Sequence, residues 1–363
     1  MVSYFIVFIC TLFIQLFHFN SKNGYLLKLL ISFLPLFIYG AIRVDYGLDY
    51  EAYQEEFFLL HKYGNAYISE HSEIGYVILN KLLPSFRHLL VLQSALLYSC
   101  YVFFFYKFIP EKYGWLAVCL LFLCGHNTVF FMFSGIRNSI ALLFFIFGFI
   151  FIAKRSFVYY FLLCALATSF HTSALIIFPL VYFVVRPTQM NRIELCIWIS
   201  VLLILIILPF DTLFNNTSFI VTRYFDRYTY YFDRVEEFDD RKTILIIASS
   251  TFFTLSNLFF LYNNQLSKNE NVIGRLALIG MLVPLLGSIN LRFSFYFIIP
   301  FICSTIYFFD RMRMQYKAFT RLTIQIIRYL YLCMFLIYQG YAFFVVFLGR
   351  ENFPYSEYHS LLD

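Results

Sequence analysis

Apolar runs long enough to cross a lipid bilayer recur from one end of this chain to the other, and that recurrence limits the fold more than any other feature. Of the 363 residues, 61% are hydrophobic and only 13% are charged. No polar stretch exceeds about 45 residues, less than a domain of ordinary size, so no soluble domain is expected. Within hydrocarbon every backbone polar group must be satisfied internally, and for runs of this kind the helix does so. The expected fold is all-α, a polytopic integral membrane protein with about twelve transmembrane helices in a single domain over residues 1–363. The crossings fall near 2–19, 25–42, 88–108, 115–133, 136–153, 157–170, 171–185, 193–210, 242–263, 272–288, 291–309 and 324–348. The first apolar run lacks the basic region and small-residue cleavage site of a signal peptide and is expected to remain as a helix.

Orientation follows from Lys and Arg in the short loops. Lys22 and Lys28, Lys107 and Lys112, Lys154 and Arg155, Arg186 and Arg192, and the cluster Arg311, Arg313, Lys317 and Arg321 fall on alternate loops, which are therefore cytoplasmic. Two long loops, at about 43–87 and 211–241, then face outward, as do both termini. This pattern requires residues 157–185 to form two short helices with a break near His171, where Thr172 or Ser173 can cap the second. A single helix there would turn the basic cluster at 311–321 outward.

Both long loops carry helical periodicity. Tyr50, Tyr53, Phe57 and Leu60 share one face, as do Ile74, Val77, Ile78 and Leu82, and both stretches are expected to lie on the membrane surface with apolar faces down. In the second loop Tyr224-Phe225-Asp226-Arg227 recurs as Tyr231-Phe232-Asp233-Arg234, a seven-residue period that returns the same side chains to nearly one helix face.

Several function classes drop out. The eight Cys lie almost entirely in apolar runs without metal or redox spacing and read as small buried hydrophobes. The net charge of +6 is modest and its basic residues sit in inter-helix loops, so no nucleic-acid partner is expected. There is no Walker loop, zinc motif, dinucleotide turn or hydrolase elbow, and neither a cofactor nor a metal is expected.

What remains is a set of ionisable residues that this topology gathers at the outer face, where charge near hydrocarbon is costly and usually functional. Arg137 opens a helix after Ser134-Gly135-Ile136 and adds its fork of donors to the positive end of the helix dipole, which suits anion capture; the plainer reading is a headgroup anchor. Arg43 ends the second helix, with Asp45 two residues on; they form either an end-cap ion pair or a further anion contact. Asp49 fits a helix N-cap, and Asp45 with Asp49 is a weak candidate for a divalent cation. Glu73 precedes an amphipathic stretch and fits a helix start. His171, at the junction of two apolar segments, is either a packing residue or an acid/base group. Arg292 opens another outer-side helix, with Tyr296 one turn later, and Gly287 and Ser288 before it leave room for a ligand.

In these residues the chain resembles the EpsG-like family of exopolysaccharide and O-antigen polymerases, the Wzy-type polymerases. The resemblance runs through Arg43, Asp45, Asp49 and Tyr53, then Glu73-Ile74-Gly75-Tyr76, Gly135-Ile136-Arg137-Asn138-Ser139-Ile140-Ala141, Phe170-His171-Thr172-Ser173-Ala174-Leu175, and Arg292 with Tyr296. Asn138 stands where Gln is common in relatives. The resemblance implies a membrane glycosyltransferase of GT-C-like architecture in the bacterial cytoplasmic membrane. It would join undecaprenyl-diphosphate-linked oligosaccharide repeat units at the outer face, with membrane lipid and a chain-length regulator protein as partners. His171 or Asp45 would take the acceptor's proton; Arg43, Arg137 and Arg292, with Asp49 and Tyr296, would hold diphosphate or sugar. Rival readings are a lipid-linked oligosaccharide flippase, an O-antigen ligase and a membrane acyltransferase.

Overall fold

The structure is a computed structural model that describes residues 2–19, 21–47, 49–64, 73–123, 133–207, 240–286, 291–315, 325–326, 329–333 and 359–360. Among the described residues the regular structure is helical, apart from one two-residue ladder. The chain divides into two compact units. The first comprises Met1–Phe151, Phe157–Pro179 and Gln339–Asp363; the second comprises Ile152–Ser156 and Leu180–Tyr338.

In the first unit, helix α1 (Val2–Gln15) packs on α2 (Lys22–Ala41), and α2 packs along α5 (Phe86–Phe108). Ser21 caps α2 through the Gly24 amide. Beyond α2 the strand β1 (Arg43–Val44) pairs antiparallel with β2 (His359–Ser360). Helices α3 (Tyr50–Tyr63) and α4 (Ile74–Leu82) follow within the first long loop, then α5 and α6 (Gly114–Leu123), joined by a 3-10 turn at Glu111–Tyr113. Helix α7 (Ile136–Lys154) carries Arg137 in its first turn. Lys22–Ala41, Phe86–Phe108 and Ile136–Lys154 are, among the described residues, long and apolar enough to cross a membrane; Ser3–Gln15 and Phe157–Phe170 are shorter apolar helices.

Residues 157–185 do form two helices, α8 (Phe157–Phe170) and α9 (Ala174–Val184), broken at His171-Thr172-Ser173. The Tyr160 hydroxyl donates to the Phe178 carbonyl at 2.9 Å, so α9 folds back along α8 as a hairpin.

The helical periodicity of the first long loop is realised, but its burial corrects one expectation. Tyr50, Tyr53, Phe57 and Leu60 are buried, and the first three pack with Tyr76, Phe86, Leu89, Leu90, Ile136 and Ile140 in a protein core rather than face down on lipid. In α4 the apolar stripe splits. Val77 is buried, whereas Ile74, Ile78 and Leu82 are exposed.

The second unit holds α10 (Arg192–Ile207), α11 (Asp240–Asn263), α12 (Lys268–Leu282) with a 3-10 turn at Val283–Leu286, and α13 (Leu291–Gln315). Ser267 and Glu270 close α12 with a reciprocal capping box. The fully buried Arg275 guanidinium meets Glu194 with two bonds, Nε to Oε1 at 2.6 Å and Nη2 to Oε2 at 2.8 Å, tying α12 to α10. The second long loop with its Tyr-Phe-Asp-Arg repeat and most of the last expected crossing lie outside the described residues.

Candidate functional site

Glu73 is the centre of the first unit's polar cluster. It occupies the N-cap position of α4 but makes no side-chain cap bond. Instead its carboxylate reaches two side chains distant in sequence. Arg137 donates through Nη1 to Glu73 Oε2 at 2.6 Å, and His171 Nδ1 lies 3.5 Å from Glu73 Oε1. The Glu73 side chain is 7% exposed, while Arg137 and His171 are each 26% exposed. The cluster is thus a mostly covered carboxylate that turns a cation and an imidazole toward accessible space.

Local structure explains each placement. Arg137 sits in the first turn of α7, where backbone N–H groups lack helical partners and the helix dipole is positive. Its guanidinium lies 5.3 Å from the Tyr53 ring centre and 5.6 Å from that of Tyr76, so aromatic faces take part of its desolvation. Those two rings meet edge to face, 5.6 Å apart. His171 follows the last residue of α8, with its amide bonded to the Ala167 carbonyl at 2.9 Å. Gly75 lets α4 approach α8. A Cβ there would meet Ser169 Oγ at 2.5 Å and the Ser169 carbonyl oxygen at 2.8 Å.

The electrostatics follow from this packing. Burial works against ionisation of Glu73, but the His171 imidazole and the Arg137 charge outweigh it and hold the carboxyl below its usual range. Burial pushes the Tyr53 phenol up to about 12, with the Arg137 charge opposing. Tyr76 is raised well above its usual value, again chiefly by burial. Both tyrosines are therefore neutral donors near neutral pH.

The other candidates fall differently. Arg43 is 0% exposed. Its guanidinium donates to the Gly40 carbonyl at 2.6 Å, to Gln93 Oε1 and to the Phe133 carbonyl at 3.1 Å, and it lies over the Phe133 ring. Any ligand contact by Arg43 would first break these bonds. Gln93 continues the chain of bonds to Ser139 Oγ at 2.8 Å, two residues beyond Arg137, and Arg87 donates to the carbonyls of Ala41 and Arg43, each at 2.8 Å. Asp45 is exposed, with a left-handed φ of 49°. Asp49 occupies the N-cap position of α3 without a side-chain cap bond, and its amide donates to Ser134 Oγ at 3.4 Å, three residues before Arg137. Arg292 lies in the first turn of α13 and Tyr296 is buried one turn on; both belong to the second unit. Among the described residues no group of His, Cys, Asp and Glu is arranged to hold a metal.

The sequence reading placed Glu73 at a helix start and left its carboxylate without a role. Its partners are 64 and 98 positions away, so no local pattern reveals them. The available signal was its place in the Glu73-Ile74-Gly75-Tyr76 element. Gln93, a polar residue inside an apolar spanning helix, is the same kind of signal.

A family model described as the EpsG family matches residues 26–358, a span that contains Glu73, Arg137 and His171. No curated protein and no solved structure matches the chain.

Proposed function

The chain belongs to the EpsG family, and from that membership we propose that it is a polysaccharide polymerase of the bacterial cytoplasmic membrane. Its substrates are oligosaccharide repeat units carried on undecaprenyl diphosphate at the outer face. About twelve crossings in a GT-C-like arrangement turn the loop at 43–87, which carries Glu73, to the outer face. Membrane lipid surrounds it, and a chain-length regulator protein is its expected partner.

The observation that carries this reading is the joining of Arg137 and His171 through Glu73. Glycosyl transfer from a lipid diphosphate needs a fixed cation where the leaving group gains charge and a base for the acceptor hydroxyl. Arg137 supplies the first. His171 supplies the second. Of the two bases considered, His171 is favoured over Asp45 because it sits beside the arginine across a shared carboxylate. Arg43 supports the site by holding the end of α2 to α5, and Asp49 is assigned to sugar or diphosphate. The guanidinium offsets the charge of the diphosphate, and the reaction as proposed involves no metal.

Deleting the gene and profiling the surface glycan tests this reading. A missing polymerase leaves single repeat units on the lipid core. The loss of all repeat units would indicate a flippase, polymer stranded on the carrier lipid a ligase, and full-length unmodified chains an acyltransferase.

A further inference from the structure

We infer that Glu73 is a positioning residue for His171. It holds the imidazole through Nδ1, so that Nε2 carries the lone pair that takes the acceptor's proton. This rests on the polymerase reading of the same site. His171 Nδ1 is buried and faces Glu73 Oε1 at 3.5 Å; no described group makes a hydrogen bond to it at ordinary length. A carboxylate oxygen attracts an N–H there, and a neutral ring protonated at Nδ1 has its acceptor at Nε2. Contacts of this kind are often long before substrate binds and tighten in the complex.

Two features fix the carboxylate. Its other oxygen is held by Arg137 at 2.6 Å, which sets the plane of the group. Gly75 lets the start of α4 lie against Ser169, two residues from Glu73 on one side and two from His171 on the other. The charged and titratable groups that face the cluster are Arg137 from α7, Asp49, Tyr53 and Glu56 from α3, and Tyr76 from α4. Of these Arg137 is the cation in contact with Glu73, and together with the His171 imidazole it favours the ionised carboxylate.

The step then balances. The acceptor hydroxyl gives its proton to Nε2 of His171, and its oxygen forms the new bond to the anomeric carbon. The bond from that carbon to the diphosphate oxygen breaks, and the electron pair leaves with the lipid diphosphate, beside Arg137. The imidazolium faces Glu73 until its proton passes to water.

The test uses full-length protein in lipid nanodiscs with a defined undecaprenyl-diphosphate oligosaccharide. Glu73→Gln keeps the shape but not the charge. It should lower kcat about 10²-fold or more and leave KM for the lipid-linked donor within about threefold. In a His171→Ala background the same change should cost no further rate, because the two residues act as a unit. Gly75→Ala, with both side chains intact, should lower kcat in the same direction. Wild-type kcat in Glu73→Gln, or losses that multiply with His171→Ala, overturn the inference. If Glu73→Gln does not accumulate, wild-type kcat in Gly75→Ala overturns it. An inactive wild-type protein would instead remove the polymerase reading. An active wild type, an inactive His171→Ala and an unaffected Glu73→Gln remove this inference alone.

Discussion

At the scale of residues, the arginines near the site divide by what surrounds them. Arg137 retains access to solvent, whereas Arg43 is buried among acceptors from α2, α5 and the segment before α7. Arg43→Ala would leave those buried acceptors unsatisfied at about 1–3 kcal/mol each. We expect it to accumulate poorly in membranes, with the thermal unfolding midpoint of purified protein lowered, while Arg137→Ala accumulates normally. Immunoblots of membrane fractions and melting curves in detergent check the contrast. Glu73 makes a pH prediction. Its carboxyl is held below the ordinary glutamate range, so it contributes stability fully present above that range and lost as pH falls through the lower, folded-state pKa. Melting points measured from pH 7 down to below 4.5 should fall more steeply for wild type than for Glu73→Gln. Parallel curves would contradict this.

At the scale of elements, the sequence was informative wherever the determinant is local. The break at His171 was legible because residues 157–185 are too long for one upright helix, and a polar His-Thr-Ser triplet interrupts them. The starts of α3 and α4 were legible from the spacing of Tyr50, Tyr53, Phe57 and Leu60 and of Ile74 and Val77. What covers those faces was not. Periodicity defines a stripe but not the partner, and the partner of α3 is the core formed with α4, α5 and α7. The same limit hid the pairing of Arg275 with Glu194, 81 positions apart. That pair also gives a prediction for the second unit. Glu194→Ala leaves a fully buried guanidinium without its carboxylate, a change that costs on the order of 3–5 kcal/mol. Its melting point should drop sharply, and Glu194→Asp should recover part of the loss; an unchanged midpoint would show that the pair carries no stability.

At the scale of the whole molecule, the ladder between Arg43-Val44 and His359-Ser360 places a segment just after α2 beside one near the other end of the chain. Two strands bonded to each other lie on one side of a membrane, so the chain between them crosses an even number of times. The positive-inside reading has the same parity, with ten of its crossings after residue 44. In a cysteine-free background, Lys81→Cys should react with an impermeant maleimide from outside intact cells. Lys112→Cys and Lys154→Cys should react only after permeabilisation. Labelling of all three from one side would end the topology. On the proposed function, the Arg137–Glu73–His171 cluster extends glycans on a lipid carrier. The most direct test is to give purified protein in nanodiscs a defined undecaprenyl-diphosphate oligosaccharide and resolve the products by length. Wild type should build a ladder, and Arg137→Ala should slow it by about 10²–10³ while binding the same lipid environment. A full ladder from Arg137→Ala, or none from wild type, would contradict the account.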